Sequence, residues 1–246
     1  HPRIRLLALH DVIDLQRHAD GWQALVAGEV VASAPVVVLA GAADIGRFPA
    51  AACLPLKRIR GQITRLAQTA SSSELRTVVC AEGYVAPPRL GEHTLGASFD
   101  MHSQHSAPTA AEHASNLQLL EEISSDLAAR LHSQELDPER LQGRAAFRCT
   151  SSDYLPIIGP LADPLVFASA YAALGKNARK VPDALCPWLD GLYVNSGLGS
   201  RGLITTPLSG ELLASWLDNE PLPLPRKVAE ACHPNRFALR QLSRGQ

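Results

Sequence analysis

Two kinds of pattern divide the chain. From Val12 to Leu25 apolar and polar residues alternate, which predicts a short antiparallel meander with its turn at Asp20-Gly21, and Glu29 to Ser33 continues it. Upstream, Arg5 to Leu9 reads as a further strand. The unbroken apolar run from Pro35 to Ala43 predicts a strand buried on both faces of a layered sheet, ending in the small residues Gly41 and Ala42. From Lys57 the character changes. Arg58 to Leu66, Thr77 to Val85 and Thr94 to Phe99 read as antiparallel strands, and Arg144 to Thr150 as a returning strand. Between them Ala110 to His132 carries Leu117, Leu120, Ile123, Leu127 and Leu131 at helical spacing. A mixed sheet with one helix, followed by a return to apolar strands, predicts a second domain inserted into the first: residues 1–52 and 151–246 form one, 53–150 the other.

The stretch Gly191 to Leu217 organises the rest. Leu192, Tyr193 and Val194 read as a buried strand, Gly197, Gly199 and Gly202 as a turn, and the following residues as a helix. Pro207 suits the first helical turn with Thr206 as N-cap, and Leu208, Leu212, Leu213 and Trp216 fall on one face. A strand aimed into a helix N-terminus through bare backbone is a cradle for an anion or polar ligand. The three glycines spell G-x-G-x-x-G, but the dinucleotide fingerprint also needs a parallel strand ending in an acidic residue after the helix. Here Pro221, Pro223 and Pro225 follow instead. A hydrolase elbow fails because Leu198 stands where its first glycine belongs.

Composition narrows the classes. With 246 residues, 46% of them hydrophobic, the chain can bury a core, and its longest apolar run is too short to cross a bilayer. A formal charge of −1 gives no global basic field. Five cysteines, odd in number and never in C-x-x-C, argue against a disulfide framework or zinc site and fit a reducing cytoplasm. The chain opens on His1 without a signal-peptide core, and the expectation is a piece with something missing upstream. His93, His102, His105 and His113 lack a fixed face and read as solvated, so no metal is expected. Arg148, near the end of an inner strand, is expected to meet a carboxylate, either from a ligand or from Asp153.

Taken in order, Val36-Val37-Val38-Leu39-Ala40-Gly41-Ala42, Arg60-Gly61-Gln62, Gly83-Tyr84-Val85-Ala86-Pro87, Phe147-Arg148 with Asp153, Leu155-Pro156-Ile157-Ile158-Gly159, and Gly197 to Pro207 resemble the D-amino-acid-oxidase and glycine-oxidase type of FAD-dependent oxidoreductase. The resemblance covers nearly the whole chain. It implies an α/β (α+β) fold in which a partial Rossmann-like FAD-binding domain carries an inserted mixed-sheet substrate domain. It also implies that Arg148 is the catalytic arginine gripping the substrate carboxylate. Gly41, Ala42, Gly61, Gly199, Ser200, Arg201, Gly202 and Leu203 become the cofactor-binding positions. The segments from Phe147 to Pro160 and from Gly197 to Leu217, and the tail after Pro221, are most similar to the members of this type that act on tRNA. They imply oxidative removal of the carboxymethyl group from 5-carboxymethylaminomethyl-(2-thio)uridine at the wobble position. A separate S-adenosylmethionine-dependent methyltransferase domain would then act on the exposed amine. Two alternatives stand beside this: an amine oxidase acting on free glycine or sarcosine, and a catalytically silent fragment without flavin.

The N-terminal G-x-G-x-x-G unit for the FAD pyrophosphate, the acidic residue for its ribose and the methyltransferase domain are all missing from this sequence. The expectation is that the chain alone holds FAD weakly or not at all. For tRNA, candidate patches are Arg236, Arg240 and Arg244 on one face of a C-terminal helix, Lys57, Arg58 and Arg60 at one strand entrance, and Lys176, Arg179 and Lys180 in a loop. A solvated basic face explains each equally simply.

Overall fold

The computed structural model describes residues 1–180 and 182–244. Asp20-Gly21 does turn the chain: β1 (Asp14–His18) and β2 (Gly21–Val26) pair antiparallel with His18 opposite Gly21, and β3 (Glu29–Ala34) completes a three-stranded meander. Arg5 to Leu9 is not a strand; it is exposed, irregular chain. The apolar run forms only the short strand β4 (Val37–Leu39). Val36 and Val38 stand exposed, so β4 is not buried on both faces.

Next come β5 (Leu56–Ala67), β6 (Val79–Cys80), β7 (Tyr84–Val85) and β8 (Glu92–Gly96). The expected single helix is two, α1 (Ala110–Ile123) and α2 (Ser125–Arg130). Ser124 separates them because it adopts extended backbone and its side chain accepts from Leu127 N, capping α2. Then follow β9 (Gln142–Ser151), β10 (Ile157–Ala162), α3 (Pro164–Ala170) and β11 (Trp188–Ser196). The chain continues into α4 (Gly202–Asp218), α5 (Arg226–Cys232) and α6 (Arg236–Ser243).

Two units result, divided at Lys57/Arg58 and Arg148/Cys149. In the first, the sheet order is β10-β11-β4, with β11 antiparallel to β10 and parallel to β4. Successive side chains of β10 point to opposite faces. Ile157 therefore joins Leu39, Ile45, Phe48, Leu192, Val194 and Phe237, while Ile158 joins Leu212, Leu213, Ala229 and Cys232 on the helical side. In the second unit, a five-stranded sheet ordered β6-β7-β8-β5-β9 packs Leu66, Val85 and Leu95 against Leu120, Leu127 and Leu131. Arg60, Gln62, Thr64 and Leu66 of β5 share the covered face, and Gly61, Ile63 and Arg65 the open one.

His93 and His113 are buried, correcting the solvated reading. His93 Nδ1 donates to Ala86 O at 2.9 Å with Nε2 against Ser72 Oγ at 2.9 Å, and His113 bonds Thr64 at 2.8 Å. The described residues contain no group of three or more potential metal ligands, and no helix long and apolar enough to cross a membrane.

His233 packs edge-on to Trp188 and Trp216, and its Nδ1 accepts from Asn235 N at 3.1 Å. Burial, aided by the nearby Arg236 charge, pushes its pKa down to about 4. The unfolded chain binds this proton near pH 6.5 and the folded one only near 4, so the contribution to stability is complete above pH 6.5 and is lost as pH falls toward 4. The expected loss is roughly 3 kcal/mol. Urea midpoints followed from pH 7 to 4 should fall in wild type, with this part of the slope flattened in His233→Gln.

Candidate active site

In the first unit, the parallel strands β4 and β11 bring their C-terminal ends together, the end at which open parallel sheets hold ligands. Ser196 Oγ, on the last residue of β11, donates to Ala42 O at 3.1 Å, so Gly41 and Ala42 sit beside the turn that leaves β11. Leu198 bridges to Thr150, and Gly199 at φ +62 sends the chain into a 3-10 turn (Gly199–Arg201) that runs directly into α4. That left-handed φ favours glycine at position 199.

Helix α4 starts at Gly202, five residues before the expected Pro207. Pro207 lies inside it, and Thr206 Oγ donates back to Gly202 O at 2.5 Å instead of capping. The displaced proline is tolerated because the first turns are open to solvent, where a carbonyl left without its N–H donor can be hydrated. Leu203 is 98% exposed and Leu208 is also outside the core, so the buried face begins at Ser209 and continues through Leu212 and Leu213. Among the described residues, no side chain caps the N-terminus of α4 or the 3-10 turn before it. Its first-turn N–H groups, with the positive end of the helix dipole, therefore remain available to an acceptor. This donor set, reached over the bare backbone of Gly199, suits an anionic or carbonyl acceptor.

In the second unit, Arg148 lies on the open face of the sheet. A Cβ built on Gly61 would stand 2.1 Å from Arg148 Nη1, so the guanidinium lies directly on the backbone of β5. Gly61, one of the positions the resemblance gives to the cofactor, leaves the room that the guanidinium occupies. Arg148 Nη1 donates to Ser98 O at 3.4 Å, and among the described residues Arg148 has no carboxylate partner. Tyr84, opposite Gly96 and through it Ile63, shares this face. Its place in the Gly83 to Pro87 segment was visible in sequence, but its orientation follows only from the register.

Asp153, the protein alternative for Arg148, is taken. It accepts from Arg236 Nε at 3.0 Å and Nη2 at 2.9 Å, from Arg240 Nη1 at 2.5 Å and from Ser151 Oγ at 2.9 Å. These contacts tie Arg236 and Arg240 to one carboxylate, with Arg240 still half exposed. Arg236 is buried, and Arg244 falls beyond the end of α6. Arg60 likewise leaves its patch: it is 2% exposed and paired with Glu112. The loop residues Lys176, Arg179 and Lys180 are exposed as expected. Glu112 was missed. Its signal is the Thr109-x-x-Glu112 capping box, in which Glu112 N donates to Thr109 Oγ1 at 3.3 Å while the carboxylate turns away to Arg60 and Ser98.

The chain belongs to the DAO family of FAD-dependent oxidoreductases, whose sequence pattern matches residues 4–216. Among solved structures, glycine oxidase from Geobacillus kaustophilus superposes with a TM-score of 0.66 at 18% identity, covering 92% of this chain and 52% of that one. Iminodiacetate oxidase from Chelativorans sp. BNC1 gives 0.62 at 22%, covering 89% and 51%. These likenesses establish the fold. In sequence, the chain is 72% identical over all 246 residues to the tRNA 5-methylaminomethyl-2-thiouridine biosynthesis bifunctional protein MnmC of Pseudomonas fluorescens Pf-5, and 72% identical to that of Pseudomonas putida GB-1. It spans 37% and 38% of the lengths of these two relatives.

Proposed function

We propose that the chain is the oxidoreductase portion of a tRNA-modifying enzyme that removes the carboxymethyl group from 5-carboxymethylaminomethyl-(2-thio)uridine at the wobble position. The observation that carries this reading is the 72% identity, over the whole chain, to proteins named for biosynthesis of the methylaminomethyl nucleoside. An arginine on an open sheet face, with no carboxylate partner among the described residues, supports it, since the group to be removed ends in a carboxylate.

Arg148 pairs with that carboxylate through its planar fork and holds the adjacent CH₂ in one orientation. FAD, when bound, supplies the two-electron acceptor for the CH–NH bond. Gly41, Ala42 and Gly199 bring bare or nearly bare backbone to it, and Ser200, Arg201, Gly202 and Leu203 form the turn and helix start where N–H groups favour negative charge on its pyrimidine edge. If the substrate amine enters neutral, no strong general base is required. Hydrolysis of the oxidised C=N bond releases glyoxylate and leaves the aminomethyl uridine. The exposed apolar residues Val36, just before β4, and Val38 within it, with Leu203 and Ile204 of α4, support a role within a longer polypeptide that completes the flavin site.

The test replaces the matched region of the Pseudomonas fluorescens relative with this chain and analyses nucleosides from tRNA carrying the carboxymethylaminomethyl group. Aminomethyl uridine with equimolar glyoxylate is the expected product. Oxidation of sarcosine with the tRNA untouched would instead make the chain a small-amine oxidase.

A further inference from the structure

We infer that Gly61, the Ser98 carbonyl and the Glu112 carboxylate form a seat that fixes the Arg148 guanidinium in one orientation for an incoming carboxylate. The inference rests on the reading of Arg148 as the carboxylate-binding residue and extends it to three residues that touch no substrate. They are positioning residues.

The seat has a floor and a wall. Built on Gly61, a Cβ would lie 2.1 Å from Nη1, 2.6 Å from Cζ and 2.7 Å from Nη2 of Arg148, so the whole fork rests where any side chain would displace it. The wall is Ser98 O, which accepts from Nη1. Ser98 is itself pinned three ways: its N–H donates to Gln62 O at 3.1 Å, its hydroxyl accepts from Gln62 N at 2.9 Å, and the same hydroxyl donates to Glu112 Oε1 at 2.5 Å.

Glu112 is anchored in turn by Arg60 Nη1 and by Thr109 Oγ1 at 3.0 Å. Burial pushes its carboxyl pKa up, but the hydrogen bonds from Ser98, Arg60 and Thr109 outweigh it and hold it below the usual range, so Glu112 remains an acceptor. Arg60 spends its other donors on His105 O and Ala107 O, each at 2.6 Å. The Arg60–Glu112 pair is thus tied into its surroundings on both sides. It holds the segment after β8 that carries Ser98, and among the described residues Arg148 has no carboxylate partner. A planar donor fork held in place before binding loses less conformational freedom when a carboxylate arrives.

The test follows the Arg148 Nε–H resonance in the full chain, assigned by its absence in Arg148→Lys, while N-methylglycine is added as the carboxylate probe. Wild type should show a resolved resonance that shifts saturably. Gly61→Ala should keep the wild-type melting temperature, because only the far end of the Arg148 side chain has to yield, while the resonance broadens and affinity drops about tenfold. Glu112→Gln, which keeps the shape and loses the charge, should weaken the probe about threefold and serves if Gly61→Ala does not fold. A Gly61→Ala or Glu112→Gln chain with wild-type resonance and affinity overturns the seat and leaves the Arg148 reading standing. A wild-type resonance that does not move at saturating probe overturns the Arg148 reading and the seat with it.

Discussion

Arg148→Ala, placed in the Pseudomonas fluorescens graft, lowers kcat/KM for the modified tRNA by about two to three orders of magnitude, the range for removing one partner of a desolvated charge pair. Most of the loss should fall on KM, with a smaller fall in kcat because the CH₂ is no longer held in one orientation. Arg148→Lys should recover only part, since an ammonium supplies the charge without the planar fork. Steady-state rates of glyoxylate release over a range of tRNA concentrations separate the two parameters. Equal parameters for wild type and Arg148→Ala would remove this residue from the site.

The second large effect is on stability. Asp153→Ala leaves Arg236, whose side chain is 6% exposed, as a buried charge without its carboxylate. Arg236 is held by the Cys232, His233 and Leu155 carbonyls and lies over the Phe237 ring at 4.0 Å, so it cannot turn to solvent. The expected cost is about 3–5 kcal/mol, the range for breaking a buried pair from one side. Thermal unfolding should shift down by roughly 10 °C. Removing both partners, in Asp153→Ala with Arg236→Met, should recover a substantial part.

The same pair gives an acid limb. The Arg236 hydrogen bonds, with those from Arg240 and Ser151, hold the Asp153 carboxyl far below the usual carboxylate range against the opposing effect of burial. A depressed folded-state pKa contributes stability that is complete above the unfolded value near 4 and is lost as pH falls below it. Asp153 therefore acts at lower pH than His233, and unfolding profiles should resolve two successive limbs.

How far the sequence carries can be read residue by residue. The Asp20-Gly21 hairpin was legible because the alternation and the turn chemistry are local. The helical face of Leu117, Leu120 and Leu127 was legible for the same reason, although the break at Ser124 depended on a cap that periodicity does not register. The run Pro35 to Ala43 misled. A continuous apolar run predicts cover on both faces, but Val36 and Val38 are exposed because cover depends on what packs there, not on the strand itself. Pro207 misled in the other direction, since an exposed first turn lets a helix begin upstream of a proline.

At the site, Arg148 stood out as an arginine near the end of an inner strand. The partners that decide its role did not. Ser98 lies 50 residues away in sequence and reaches Glu112 only through its own hydroxyl, while Asp153 is claimed by Arg236, 83 residues downstream. Gly61 was singled out by resemblance, and only its distance to the guanidinium shows what the missing side chain makes room for.

The most direct measurement is anaerobic. The flavin-loaded graft is mixed with tRNA bearing 5-carboxymethylaminomethyl-2-thiouridine, and the visible flavin absorbance is followed. Bleaching of one flavin per modified nucleoside, absent with tRNA that lacks the carboxymethyl group, is the predicted result. A folded, flavin-loaded graft that stays yellow with that tRNA would contradict the assignment of this chain to the oxidation of the wobble nucleoside.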